Sequence, residues 1–437
     1  MSSKQLTVLF VTLDGYGHLN SCIGVAEKLV ERGHRVIFAM ERAWAGKAKR
    51  YAGIEEIIFV DPNRDPTLGA NEHWIKFMDD MKSTFGLSPM EAVKKMDPKL
   101  QQLFIDTMLN VDDEIKKVLD QAKPDVIVVD SYTTIPAVYK SGIPWVWLTS
   151  AHPLSCLPSD DLPPNGTDFP TNGDRKQWEE YMEVFLEKIM DLVTHFNKRM
   201  TEEFGLEPSM HGIHHESPYL NIYAYPKEMD YLDIRPLPQK WQSFDHFIRF
   251  TEKDESFKIP QEFLQKPLGK LIYVSMGSMG CADVKLMNRL ITILAKSPNR
   301  FIFSLGPRKD QLMALPENIW GESFVPQTQI LPKVDLVITH GGNNTVLESL
   351  YFGKPMIVSP LFGDQYNNSQ RVTEMGYGAK INAYKCQPKQ LHSLIEQLLN
   401  DNQMKERLAK ISKRMQLSNS TEMVAITIEQ LHYQKQN

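Results

Sequence analysis

The chain has 437 residues, 42% of them hydrophobic and 24% charged, with a formal net charge of −5. That length suggests two domains, each with enough chain for its own core, and the mild acidic balance with no long basic run argues against a nucleic-acid partner. Cys22, Cys156, Cys281 and Cys386 are scattered with no Cys-x-x-Cys spacing. This fits isolated buried thiols in a reducing compartment better than a disulfide framework or a zinc site.

TVLFVTL at 7–13 reads as a first strand. It is too short for a signal peptide and runs into Asp14-Gly15-Tyr16-Gly17 with no small-residue cleavage pattern. No stretch approaches twenty apolar residues, so no membrane span is expected and the expected location is cytoplasmic. After the DGYGH loop, residues 19–32 read as an amphipathic helix stopped by Gly33, and residues 35–40 as the next strand. Strand, loop, helix and strand in that order open a right-handed parallel unit. Gly15-x-Gly17 with Glu41 ending the second strand permits a dinucleotide-binding reading, but Asn20 stands where the third fingerprint glycine belongs. His18 sits at the loop-to-helix junction. It either caps that helix or acts as a general base, since imidazole takes a proton near neutral pH.

DVIVVD at 125–130 is a further buried strand ending on Asp130, an ordinary helix-capping position or a functional one. WVWLT at 145–149 follows, then SAHPLSCLP, a loop placed to line a pocket. From Trp178 to Phe204 apolar residues recur at helical spacing, the pattern of core packing. His211, His214 and His215 invite a metal reading, but no second ligand cluster accompanies them, so a polar loop is expected. LNIYA at 220–224 is expected to close the first sheet, with a connector of mixed Pro, charge and aromatic residues after it.

Residues 271–275 open a second unit whose loop is Ser275-Met276-Gly277-Ser278, with FIFSLG and ESFVPQ as later strands. The run 335–339 then stops at His340-Gly341-Gly342, and a helix opens with Asn343-Asn344-Thr345. Unpaired N–H groups and the positive dipole end at such a helix start make a phosphate seat. The glycines let the backbone come close, and His340, Asn344 and Thr345 can donate to phosphate oxygens. Glu348, one turn in, offers a carboxylate to ribose hydroxyls. Asp364-Gln365 opens another helix, an acceptor beside an amide, suited to sugar hydroxyls. No Asp-x-Asp triplet occurs, so no dedicated metal site is expected. Two helical patterns follow Gly378, and residues 420–433 form a last one.

Phe324-x-Pro326-Gln327, Ile330-Leu331, His340-x-Gly342, Asn344-Thr345, Glu348, Gly353-x-Pro355 and Asp364-Gln365-x-Asn367 follow one another in a set order. The stretch resembles the donor-binding signature of UDP-dependent glycosyltransferases of the plant, animal and macrolide-modifying type, glycosyltransferase family 1. Phe324 stands in the slot of a Trp that stacks on uracil in that family. The resemblance implies an α/β fold of the GT-B class, two Rossmann-like parallel-sheet domains facing across a cleft. The acceptor-binding domain would cover 1–235, a linker 236–258 and the UDP-sugar domain 259–417, with a helix at 418–437 packing back on the first.

By the same resemblance His18 deprotonates the acceptor hydroxyl and Asp130 orients it, as in a triad. Phe324 stacks on uracil with Val325 beside it, and Gln327 approaches uracil or ribose. Ser278, His340, Gly342, Asn343, Asn344 and Thr345 face the diphosphate. Asp364 and Gln365 hold the 3- and 4-hydroxyls of the hexose. Gln365 in that place is similar to glucose-using relatives, so UDP-glucose is the expected donor and no metal cofactor is implied. The expected acceptor is a small lipophilic hydroxyl compound (phenolic, flavonoid or xenobiotic), as in detoxification. The rival readings are a GlcNAc transferase using a lipid-linked acceptor, a nicotinamide-dependent oxidoreductase and a catalytically inactive binding protein of the same fold, the last disfavoured because His18 and Asp130 are both present.

Overall fold

Strands rich in Val, Ile, Leu and Phe, apolar on both faces, belong inside parallel sheets covered by helices. A computed structural model describes residues 4–209, 212–250 and 257–434 and shows two such sheets. The first holds β1 (Thr7–Thr12), β2 (Arg35–Glu41), β3 (Ile54–Phe59), β4 (Val126–Asp130), β5 (Trp145–Thr149), β6 (Leu220–Ala224) and β7 (Trp241–Phe244), in the order β3-β2-β1-β4-β5-β6-β7. The second holds β8 (Leu271–Ser275), β9 (Arg300–Ser304), β10 (Ile319–Glu322), β11 (Leu336–Thr339), β12 (Met356–Val358) and β13 (Gly378–Lys380), in the order β10-β9-β8-β11-β12-β13. All pairings are parallel; Val8 faces Val36 on one side and Val126 on the other, and Val337 faces Tyr273 and Met356.

Both sheets reverse their strand order beside the first strand, between β1 and β4 and between β8 and β11. Loops leaving the carboxyl ends of neighbouring strands part there and leave a crevice. Each lobe therefore has one such place, and His18 and His340 each follow a strand that borders it.

β7 lies inside the stretch 236–258 expected to be a connector and extends the first sheet beyond β6. WQSF is short, lacks alternation and sits half-exposed on the edge, so nothing in its pattern marks a strand.

The helix Tyr16–Glu31 ends because Gly33 adopts a φ of +88°, which a glycine enters without steric cost. The amides of Gly33 and His34 close its last turn on the Val30 and Leu29 carbonyls. Two later segments lie on this helix. The chain crossing at 245–250 runs so close that a Cβ on Gly24 would sit 2.0 Å from the Phe247 carbonyl oxygen, and the Phe250 amide donates to Glu27 Oε2 at 2.9 Å. The helix Ser420–Gln434 packs its buried Val424, Ala425 and Ile428 inward, and its Glu429 takes Arg32 Nη2 at 2.8 Å and His34 Nε2 at 2.6 Å. This last described helix thus packs on the first lobe. Among the described residues no helix is long and apolar enough to cross a membrane.

Candidate active site

β1 and β4 pair in register, which carries the loop after Thr12 and the carboxylate of Asp130 to the same sheet end. His18 Nδ1 lies 3.0 Å from Asp130 Oδ1 and 3.1 Å from the hydroxyl of Ser150, just beyond β5. A carboxylate can only accept, so the proton of a neutral imidazole belongs on Nδ1 and Nε2 keeps its lone pair. Asp130 is buried, and its Oδ2 has no hydrogen-bond partner among the described residues. Tyr132 meets the His18 ring edge-on, with centroids 5.0 Å apart and planes at 85°, yet remains 41% exposed. The first lobe so offers a basic nitrogen beside an aromatic wall.

In the second lobe β11 runs into His340, and Gly341 turns the chain with a φ of +87°. A side chain there would also strike Val358 Cγ1 at 2.6 Å. The His340 ring lies over Gly277 and Gly342, and a Cβ on either would come within 2.5 Å of its Nε2. Burial lowers its pKa to about 4, which keeps the ring neutral and able to donate one hydrogen bond. The helix Asn343–Tyr351 that follows has no side-chain cap, so its leading N–H groups stay open to an anion. Ser278, expected in a loop, is exposed in the short helix Gly277–Gly280 that follows β8.

The side chains of Asn343 and Asn344 point across to the other lobe. Asn343 Nδ2 donates to the Ser150 and Ala151 carbonyls at 3.1 and 3.3 Å. Asn344 Nδ2 donates to Gly17 O at 2.7 Å while its Oδ1 accepts from Ser21 Oγ at 2.7 Å. Their amides, and not these side chains, remain at the helix start. Thr345 is buried, and its Oγ1 lies 3.3 Å from Gln327 Nε2.

Glu348 is buried with partners on both oxygens, Arg249 Nη1 at 2.7 Å on Oε1 and Gln327 Nε2 at 2.6 Å on Oε2. Phe324 is 45% exposed, 6.4 Å from the Tyr16 ring and under the Arg50 guanidinium at 5.8 Å. Val325 turns its side chain into the core, so only its main chain can meet a ligand. Asp364 precedes the helix Gln365–Glu374, and its Oδ2 accepts the His152 amide at 2.9 Å. Burial pushes its pKa up, opposed by that amide and by the nearby His18 imidazole. Gln365 Oε1 accepts the Leu361 amide at 2.9 Å.

Other candidates lose their chemistry. Glu41 Oε2 accepts from the Ala43 amide at 2.7 Å and from Arg64 at 2.9 Å, which ties that carboxylate into its own lobe. His215 bonds Thr134 Oγ1 and the Glu207 carbonyl, and His214 packs 4.4 Å from the Trp147 ring. His211 lies outside the described residues. Among the described residues no cluster of three His, Cys, Asp or Glu could hold a metal. Tyr132, Ser150, His152 and Arg249 escaped the sequence reading as individuals. Tyr132 follows Asp130 closely and the next two lie in the loop read as pocket lining, but nothing marks Arg249.

Residues 252–417 match the family model described as "UDP-glucoronosyl and UDP-glucosyl transferase". NDP-glycosyltransferase YjiC of Bacillus subtilis (strain 168) is 23% identical over 432 residues, 98% of this chain and 97% of that protein. A sterol 3-beta-glucosyltransferase of Vanderwaltozyma polyspora is 24% identical over 450 residues, 96% of this chain, although this chain spans only 34% of that longer protein. The crystal structure of the glycotransferase of kitacinnamycin superposes with a TM-score of 0.68 at 19% identity, covering 98% of this chain and 99% of that one. The glycosyltransferase VinC in complex with DTDP gives 0.64 at 16%, covering 98% and 100%. These likenesses show the two-domain GT-B architecture.

Proposed function

We propose that the chain is a family 1 glycosyltransferase that transfers glucose from UDP-glucose to a hydroxyl of a small lipophilic acceptor, a reading supported by the family model matched over residues 252–417 and by the full-length likeness to an NDP-glycosyltransferase. The observation that carries this reading is the His18–Asp130 pair at 3.0 Å, which holds one imidazole nitrogen and leaves the other basic. His18 Nε2 takes the acceptor proton as its oxygen attacks C1 of the hexose. The bond from C1 to the phosphate oxygen breaks on the opposite face, so the anomeric centre inverts. Asp130 stabilises the imidazolium that forms.

Charge builds on the β-phosphate as UDP leaves. The open amides at the start of Asn343–Tyr351, the neutral His340 and Ser278 receive it. Uracil stacks on Phe324, with the Val325 main chain and Gln327 beside it, and Glu348 takes the ribose hydroxyls. Asp364 and the amide nitrogen of Gln365 hold the hexose hydroxyls. A family-based role for Asn343 and Asn344 reaches the phosphates through their main chain, given where the side chains point.

The test is a mass-spectrometric screen of mixed phenols against UDP-glucose, UDP-GlcNAc, UDP-glucuronate and TDP-glucose, with the product anomer read by NMR. The expected product is a β-glucoside formed from UDP-glucose. An α-product, or turnover with thymidine-linked sugars alone, contradicts the reading.

A further inference from the structure

We infer that Arg249 is a positioning residue for donor binding, holding the Glu348 carboxylate ionised and turned to receive ribose; this rests on the donor seat proposed above. Arg249 belongs to the chain crossing at 245–250, outside the nucleotide lobe's own strands and helices. Its side chain is 4% exposed and that of Glu348 3%, with 2.7 Å between Nη1 and Oε1. A carboxylate left this deep in a protein with no cation beside it tends to take a proton, and a protonated Glu348 loses acceptor capacity. The planar guanidinium also fixes the carboxylate's orientation, which a flexible ammonium does less well.

Arg249 meets Oε1 and Gln327 meets Oε2, so the carboxylate is gripped at both oxygens and its plane is set by these two donors. The crossing segment is itself pinned to the helix that carries His18, through the Phe250 amide on Glu27 and the close approach of Phe247 to Gly24. The ribose acceptor is therefore set in place from the lobe that holds the base.

The test compares binding of UDP and of 2′,3′-dideoxyuridine diphosphate, whose ratio reports the ribose hydroxyls alone. A hydrogen bond to a charged group makes that ratio about 10–100 in the native protein. Arg249→Gln should bring it to within about threefold of unity, because the lost contact is the one to those hydroxyls. A general loss of structure would weaken both ligands alike and leave the ratio standing. Should Arg249→Gln fail to fold, Arg249→Lys keeps a buried cation and should still lower the ratio at least about threefold, since a flexible ammonium no longer places its donor at Oε1 as the planar guanidinium does. An unchanged ratio in the variant that folds overturns the inference. Glu348→Ala separates the two ideas. If it preserves the native ratio, the donor seat itself fails; if it abolishes the ratio while the Arg249 variants keep it, only the role of Arg249 fails.

Discussion

Two oxygens lie within hydrogen-bonding reach of His18 Nδ1, and only the Asp130 carboxylate is unable to donate to it. That asymmetry fixes the tautomer and puts the lone pair on Nε2. Removing the imidazole with His18→Ala should lower kcat by about 10²–10⁴ while UDP affinity, measured by calorimetry, stays near native. Asp130→Asn should fall in the same direction by a smaller factor, because the imidazole remains but its partner no longer carries charge. Normal turnover in His18→Ala removes the base from the mechanism. The places of His18 and Asp130 at one sheet end were legible because each ends or follows a hydrophobic run whose length betrays the strand. Ser150, Tyr132 and His152 were not, since their contacts depend on which strands become neighbours. The side-chain directions of Asn343 and Asn344 were hidden for a related reason, as their partners belong to the other lobe.

Among elements, the helix Tyr16–Glu31 does most to bring the parts together. It starts beside His18, is met along its middle by the chain crossing, and near its end holds Glu429 through Arg32. Gly24 is where a side chain cannot fit, because a Cβ would press on a backbone carbonyl instead of a flexible tip. Gly24→Ala should therefore cost about 1–3 kcal/mol in urea unfolding, the range for overpacking. A stability equal to native would show that the crossing segment yields freely. The helix itself was readable from its apolar spacing and the stop at Gly33. The need for glycine at position 24 was not, because the Phe247 segment comes from far along the chain. β7 escaped because an edge strand of four residues carries no two-residue alternation.

At the scale of the molecule, the lobes meet through polar contacts that run between the His18 helix, the crossing segment and the donor helix. His246 sits in that crossing, 4.9 Å from the Tyr351 ring, and burial lowers its pKa to about 4. The unfolded chain would protonate it near 6.5, so between those values the unfolded state binds the extra proton. Its contribution to stability is whole above pH 6.5 and declines as pH falls toward 4. His340, also lowered to about 4, adds a slope of the same sign. In urea titrations from pH 7 to 5, His246→Phe should flatten the decline, and an unchanged slope would place the proton uptake elsewhere. Two parallel-sheet lobes were foreseeable from two strand–loop–helix openings in one chain. Their contacts across the crevice arise only once both are folded.

The central claim is that a nucleotide diphosphate seats where β11 becomes helix, with its hexose turned toward His18. A crystal structure of the protein with UDP tests it most directly. The expected density places the two phosphates on the amides of 342–345 and on His340, with ribose hydroxyls on Glu348 and uracil against Phe324. Phosphates lodged away from that turn, or a ribose out of reach of Glu348, would contradict it.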